Sequence, residues 1–178
     1  AELIQNAKKI YIVGIRSCEP LADFLGFYLN MLFDEVHVVR TNSASEIFEQ
    51  LMRIGAGDVL IGISFPKYSM RTVKAMELAN SRSAGVISIT DSIHSPLNLY
   101  SSCNLIARSE MASVVDSLTA PLSVINALIV ALCLKNQDSL KQSIETLDQL
   151  YDDYQIYGRD EMDPSGGEIE IFHQGSRV

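Results

Sequence analysis

Ser64, Lys67, Tyr68 and Ser69 stand close together directly after an apolar run, and residues of these types at this spacing can hold a phosphate. Two hydroxyls, an ammonium group and several backbone N–H donors suit a dianion. Hydrogen bonds to a charged group contribute about 1.5–3 kcal/mol each, so about four of them give roughly 6–12 kcal/mol gross before ordering costs. That is enough for micromolar binding, near about −8 kcal/mol. On this loop alone the two serines serve equally well as caps of the next helix, with Lys67 in solvent. A second turn, Arg16-Ser17-Cys18, follows another apolar run and offers a guanidinium, a hydroxyl and a thiol.

The elements around these turns alternate between strand and helix. Ile10-Tyr11-Ile12-Val13-Gly14-Ile15 and Val59-Leu60-Ile61-Gly62-Ile63 are continuous apolar runs, as strands buried on both faces are. Each passes into a turn and a helix whose unpaired N–H groups and positive dipole end favour an anion. Gly85-Val86-Ile87-Ser88-Ile89-Thr90 ends similarly in Asp91-Ser92, so several strand ends converge on one crevice, where open α/β sheets bind ligands. Shorter strands are expected at Val36–Val39 and Asn104–Ala107. Helices are expected over about Glu19–Phe33, from a cap at Asn42 or Ser43 to Ile54, and over Met70–Asn80. A long apolar helix spans about Met111–Lys135, and a second follows Asn136-Gln137-Asp138 with Leu140, Ile144, Leu147 and Leu150 on one stripe. The alternation predicts an α/β protein with a parallel sheet and helices on both faces. The two last helices carry more apolar surface than a small sheet needs, which predicts a subunit interface and a homodimer or higher homo-oligomer.

The chain has 178 residues, 47% of them apolar and 20% charged, with a net charge of −8. This is the composition of a globular domain, and the acidity argues against direct contact with a nucleic-acid backbone. Cys18, Cys103 and Cys133 are odd in number and widely spaced, without a CxxC pair or a histidine at ligand spacing, so neither a metal site nor a disulfide framework is expected and a cytoplasmic setting is. The least polar window, Leu118 to Leu134, is interrupted by Thr119, Pro121, Ser123 and Asn126 and reads as a buried helix rather than a membrane span. Residues 158–178, with Asp163-Pro164-Ser165-Gly166-Gly167, have turn composition and are set apart from a 1–157 domain as a tail that is mobile or packs on a partner. No Gly-x-Gly-x-x-Gly follows the first strand, which weighs against a dinucleotide site.

Four ordered segments carry a resemblance: Tyr11 to Cys18, Gly57 to Ser64, Phe65 to Ser69, and Val86 to Ser92 with Ser95-Pro96-Leu97. Together they resemble the sugar isomerase (SIS) domain of RpiR-type bacterial transcription regulators, over about Gln5 to Lys135. The resemblance implies a three-layer αβα sandwich around a flavodoxin-like parallel sheet of about five strands. It also implies a sugar-phosphate-sensing effector domain, with DNA contacted through a helix-turn-helix domain N-terminal to Ala1, and a phosphorylated sugar or amino sugar as ligand, with no cofactor.

The family's first motif is usually Gly-x-Gly-x-Ser. Gly14 matches it, Arg16 replaces the second glycine, Cys18 falls at the serine and Ser17 is adjacent. In the second motif, usually Ser-x-Ser-Gly-x-Thr, Ser64 matches, Pro66 and Lys67 replace serine and glycine, and Ser69 falls at the threonine. By resemblance the phosphosugar contacts are Ser64 and Ser69, then Lys67, Tyr68, Ser17, Arg16, Cys18 and Gly14, with Ser117 ahead of the long helix. The alternative is an aldose–ketose phosphate isomerase, which needs a carboxylate or histidine to move a proton; His94, Glu110 and Asp116 are the candidates. Arg16, Cys18, Pro66 and Lys67 depart from the motifs and count against it.

Overall fold

The computed structural model describes residues 1–40, 43–108 and 117–154. Five parallel strands, β1 (Ile10–Gly14), β2 (Val36–Val38), β3 (Val59–Ile63), β4 (Gly85–Thr90) and β5 (Cys103–Ile106), form one sheet in the order β2-β1-β3-β4-β5. The helices are α1 (Glu2–Gln5), α2 (Glu19–Asn30), α3 (Ala44–Gln50), α4 (Met70–Ser81), α5 (Thr119–Lys135) and α6 (Gln137–Tyr154). This is the parallel sheet with helices on both faces that the alternation predicts, in the three-layer, flavodoxin-like form that the resemblance implies.

The two-residue period of the strands divides the core in two. Ile10, Ile12, Ile61 and Ile63 face one apolar layer with Leu25 of α2 and Ile125 of α5. Tyr11, Val13 and Leu60 face the other, with Ile47 of α3 and Val73 and Met76 of α4. Each fully buried Ile or Leu contributes about 1.5–3 kcal/mol relative to exposure, so the sheet is held from both sides.

The element ends differ from expectation for local reasons. The α2 helix stops at Asn30, whose side-chain amide donates to the Gly26 carbonyl at 2.8 Å, and the next N–H groups turn back to Tyr28 and Leu29. Helix α3 starts at the Ser43 cap, which forms a capping box with Glu46, and ends at Gln50 rather than Ile54. Beyond it the Asp58 carboxylate accepts from the Gly55 N–H at 3.0 Å and closes the turn into β3. Strand β5 begins one residue early, at Cys103. The long apolar helix is described from Thr119; Glu110, Asp116 and the tail 158–178 lie outside the described residues.

Residues 1–140 make one compact unit, and the second begins at Lys141. In the first, α5 buries Pro121, Ile125, Ile129 and Leu132. Its other side leaves Val130 and Leu134 56% and 48% exposed, as expected of a helix apolar all round. Among the described residues no single helix is long and apolar enough to cross a membrane.

Candidate functional site

The chain moves from β1 outward to β2, then returns past β1 to β3 and onward to β4 and β5. The β1/β3 border is therefore the point where strand order reverses, and in open α/β sheets the crevice beyond the strand ends at such a point is the binding place. Register aligns the two strand ends, with Gly14 opposite Ile63, so the turn after β1 and the loop after β3 leave the sheet side by side. Between them lies a crevice of about 820 Å³.

The β1 side is a short 3-10 turn, Arg16–Cys18, running directly into α2 with no side chain capping it. Gly14 allows this tight return: a Cβ there would lie 2.5 Å from the Cys18 carbonyl oxygen and 3.0 Å from Ala22 Cβ. Arg16 itself has φ 60°, in the left-handed region. On the β3 side Lys67 has φ 66°. Such a backbone costs a non-glycine residue about 1–2 kcal/mol, so both turns keep the conformation of a glycine while carrying a cation.

Ser64 is 3% exposed, and its Oγ accepts the Ser69 N–H at 3.0 Å across the loop. Ser69 in turn caps α4, its Oγ accepting the Thr72 N–H at 3.4 Å. The two serines thus set the loop's shape, the capping role read from the sequence, while both stand in the lining of the crevice. Thr72 is fully buried and its hydroxyl has no hydrogen-bond partner among the described residues. An unmet buried hydroxyl costs about 1–3 kcal/mol, so Thr72→Val, which keeps the shape, is expected to raise stability by about 1 kcal/mol in a urea titration.

Tyr68 ties the loop to the next strand end. Its hydroxyl donates to Asp91 Oδ1 at 2.8 Å, and Thr90 Oγ1 lies 3.2 Å from the same oxygen and 2.9 Å from Ser95 Oγ. Burial, and then the hydrogen bond and charge of Asp91, raise the Tyr68 pKa above its ordinary 10.0. Tyr68 is therefore a proton donor at neutral pH, not a base. A raised folded pKa means that the unfolded phenol ionises first, so the contribution is complete below pH 10.0 and falls as pH climbs through the folded value. Tyr11 is shifted in the same direction, by burial and then by Asp58 and Glu35. Stability measured by denaturant titration is expected to decline above about pH 10, and less steeply in Tyr68→Phe.

The crevice gathers Arg16, Ser17, Cys18, Ser64, Lys67, Tyr68 and Ser69, seven of the nine residues expected there. Gly14 is buried at the end of β1 and does not line the crevice. Ser117 does not belong to the group; it is exposed, ahead of α5, and lines no part of the crevice. Cys18 reaches the lining while only 5% exposed, and Cys103 and Cys133 are half-buried rather than fully in the core. His94 is exposed and does not line the crevice.

Arg71 is a lining residue that the sequence reading does not single out. A signal was present. Arg71 lies in the first turn of α4, where no acidic residue stands and the helix dipole disfavours a cation. Among the described lining residues there is neither a carboxylate nor an imidazole, whereas Arg16, Lys67 and Arg71 are all basic. A second crevice of about 550 Å³ along β2 combines Lys9 and Arg53 with Glu49 and lacks this one-sided charge. Among the described residues, no group of three or more His, Cys, Asp or Glu side chains could hold a metal ion.

A sheet of this order with its turns arranged so invites comparison, and the family model of the SIS domain matches residues 3–131. The chain belongs to the SIS domain family. This SIS domain is 28% identical over 158 residues to an uncharacterised HTH-type transcriptional regulator of Caldanaerobacter subterraneus subsp. tengcongensis, a match covering 84% of the chain. It spans about half of that relative's length, 54%. Among solved structures it is similar to the sugar isomerase domain of the RpiR transcription factor from Sphaerobacter thermophilus. That match has a TM-score of 0.78 and 24% identity over 83% of this chain and 82% of the other. It is also similar to the Vibrio vulnificus NanR protein, solved complexed with ManNAc-6P. There the TM-score is 0.70 and the identity 19%, over 84% of this chain and 58% of the other. The SIS fold expected from the four ordered segments is thus the fold of this chain.

Proposed function

We propose that this SIS domain is the effector domain of a transcription regulator, binding a phosphorylated sugar or amino sugar in the β1/β3 crevice without converting it. The observation that carries the reading is the lining itself. Among the described lining residues, hydroxyls and cations suited to a phosphate meet without a carboxylate or imidazole to shuttle a proton between sugar carbons, and Tyr68 is held protonated. The ManNAc-6P in the Vibrio vulnificus relative and the HTH-type name of the Caldanaerobacter relative support the two halves of the reading. DNA contact then belongs to a helix-turn-helix domain outside residues 1–178, consistent with the net charge of −8, and the regulator works in the cytoplasm.

A ligand moves such a regulator only by binding its two arrangements unequally. The loop–strand link from Tyr68 to Asp91 supplies one route, since contact at the β3 loop pulls on the end of β4. The exposed face of α5 around Val130 and Leu134 supplies the dimer contact. Val130→Glu is expected to raise the dimer dissociation constant by at least about tenfold in analytical ultracentrifugation, because a carboxylate cannot be desolvated there without a partner. An unchanged mass distribution would remove α5 from the interface.

The functional test is a thermal-shift screen against sugar phosphates and their unphosphorylated sugars, with each hit followed by NMR for turnover. A shift that requires the phosphate, without turnover, is the expected result. Turnover would make the protein an isomerase, and the absence of any phosphate-dependent shift would overturn the binding site.

A further inference from the structure

A single phosphate monoester does not balance this crevice. Such a group carries about −1.5 to −2 charge at neutral pH, whereas the described lining residues include three basic side chains and no acidic one. The excess is local, because the whole chain has a net charge of −8. Each cation is also placed against its local preference. Arg16 and Lys67 occupy left-handed backbone, at φ 60° and 66°, where the motifs they resemble usually carry glycine. Arg71 sits at the positive end of the α4 dipole. Among the described residues none of the three forms an ion pair. Three independent departures from local preference at one crevice are what a ligand requirement produces, since local rules are broken where function demands it.

We propose that Arg16, Lys67 and Arg71 select a phosphosugar bearing a second anionic group, a carboxylate or another phosphate, over an otherwise similar phosphosugar whose single phosphate is its only anionic group. This rests on the phosphosugar reading of the site and narrows it. The hydroxyls of Ser64 and Ser69 and the loop backbone take one phosphate. Guanidinium groups from opposite lips of the crevice, Arg16 from the β1 turn and Arg71 from α4, reach the second anion, and planar two-pronged donors of this kind match either oxyanion. The volume of about 820 Å³ leaves room for both ends of such a ligand.

The test is calorimetric binding at constant ionic strength with two matched pairs, glucose 6-phosphate against 6-phosphogluconate and fructose 6-phosphate against fructose 1,6-bisphosphate, and with inorganic phosphate as head-group probe. The member with two anionic groups is expected, in at least one pair, to bind at least about tenfold more tightly than its singly phosphorylated partner. Arg71→Gln and Arg16→Gly, both exposed positions where the fold is not at risk, are each expected to erase most of that advantage. A first-pair preference identifies the carboxylate, a second-pair preference the second phosphate. The inference is overturned if the members with a single phosphate and no other anionic group bind equally well or better, if neither pair competes with inorganic phosphate, or if the preference survives both substitutions. Retained phosphate binding in those cases leaves the phosphosugar reading standing, and loss of phosphate binding removes that reading too.

Discussion

Replacing both Ser64 and Ser69 by alanine is expected to weaken phosphosugar binding by about two orders of magnitude. Each hydroxyl bonded to a charged oxygen contributes about 1.5 kcal/mol at the low end of the range, so removing two costs about 3 kcal/mol, and about 1.4 kcal/mol is a tenfold change. The same substitutions remove the acceptor for the Ser69 N–H and the cap for α4. Stability should therefore fall as well, by about 1 kcal/mol for the cap alone. Ser69→Asn separates the two roles, because asparagine caps a helix as well as serine does but offers no hydroxyl at that reach. In calorimetry Ser69→Asn should lose affinity while keeping most of its unfolding midpoint. Full affinity in the double alanine variant would remove the phosphate from this loop.

The second large effect is expected at Gly14. In Gly14→Ala the new methyl would lie 2.5 Å from the Cys18 carbonyl oxygen, which is backbone and cannot turn aside like a flexible side chain. The turn Arg16–Cys18 and the start of α2 must move. Overpacking of this kind costs about 1–3 kcal/mol of stability, and the displaced turn carries Arg16 and Ser17 away from the crevice. Urea unfolding and ligand affinity should fall together. A variant that loses neither would show that the close approach of β1 and α2 is not what shapes the site.

Much of this architecture is legible in the chain. Strand β4 occupies Gly85–Thr90 as read, because a β-branched run bounded by turn residues leaves little choice. Ser69 marks the start of α4 because a side-chain oxygen ahead of a helical stretch is a cap. From the spacing of Ser64, Lys67, Tyr68 and Ser69 alone the loop reads equally as a phosphate site and as a helix cap, and the hydrogen bonds of the two serines show the capping. Other features depend on what the chain brings together later. The Tyr68–Asp91 hydrogen bond joins residues 23 apart in sequence, and only the β3–β4 pairing makes them neighbours. The left-handed backbone at Arg16 and Lys67 is hidden because its usual mark is a glycine, which both positions lack. Arg71 is hidden for the opposite reason: in a helix whose charges alternate with apolar residues it reads as one more solvated side chain, until its place at the dipole's positive end is considered. Ser117 was carried by resemblance alone, and no local pattern placed it at the crevice.

The most direct test of the central claim is amide chemical-shift mapping of the labelled protein with a phosphosugar hit from the screen, while the ligand's own proton and phosphorus spectra are followed in the same tube. The account predicts perturbations concentrated at residues 14–18 and 64–71, with the sugar chemically unchanged. Conversion of the sugar, or perturbations confined to the β2 edge, would contradict it.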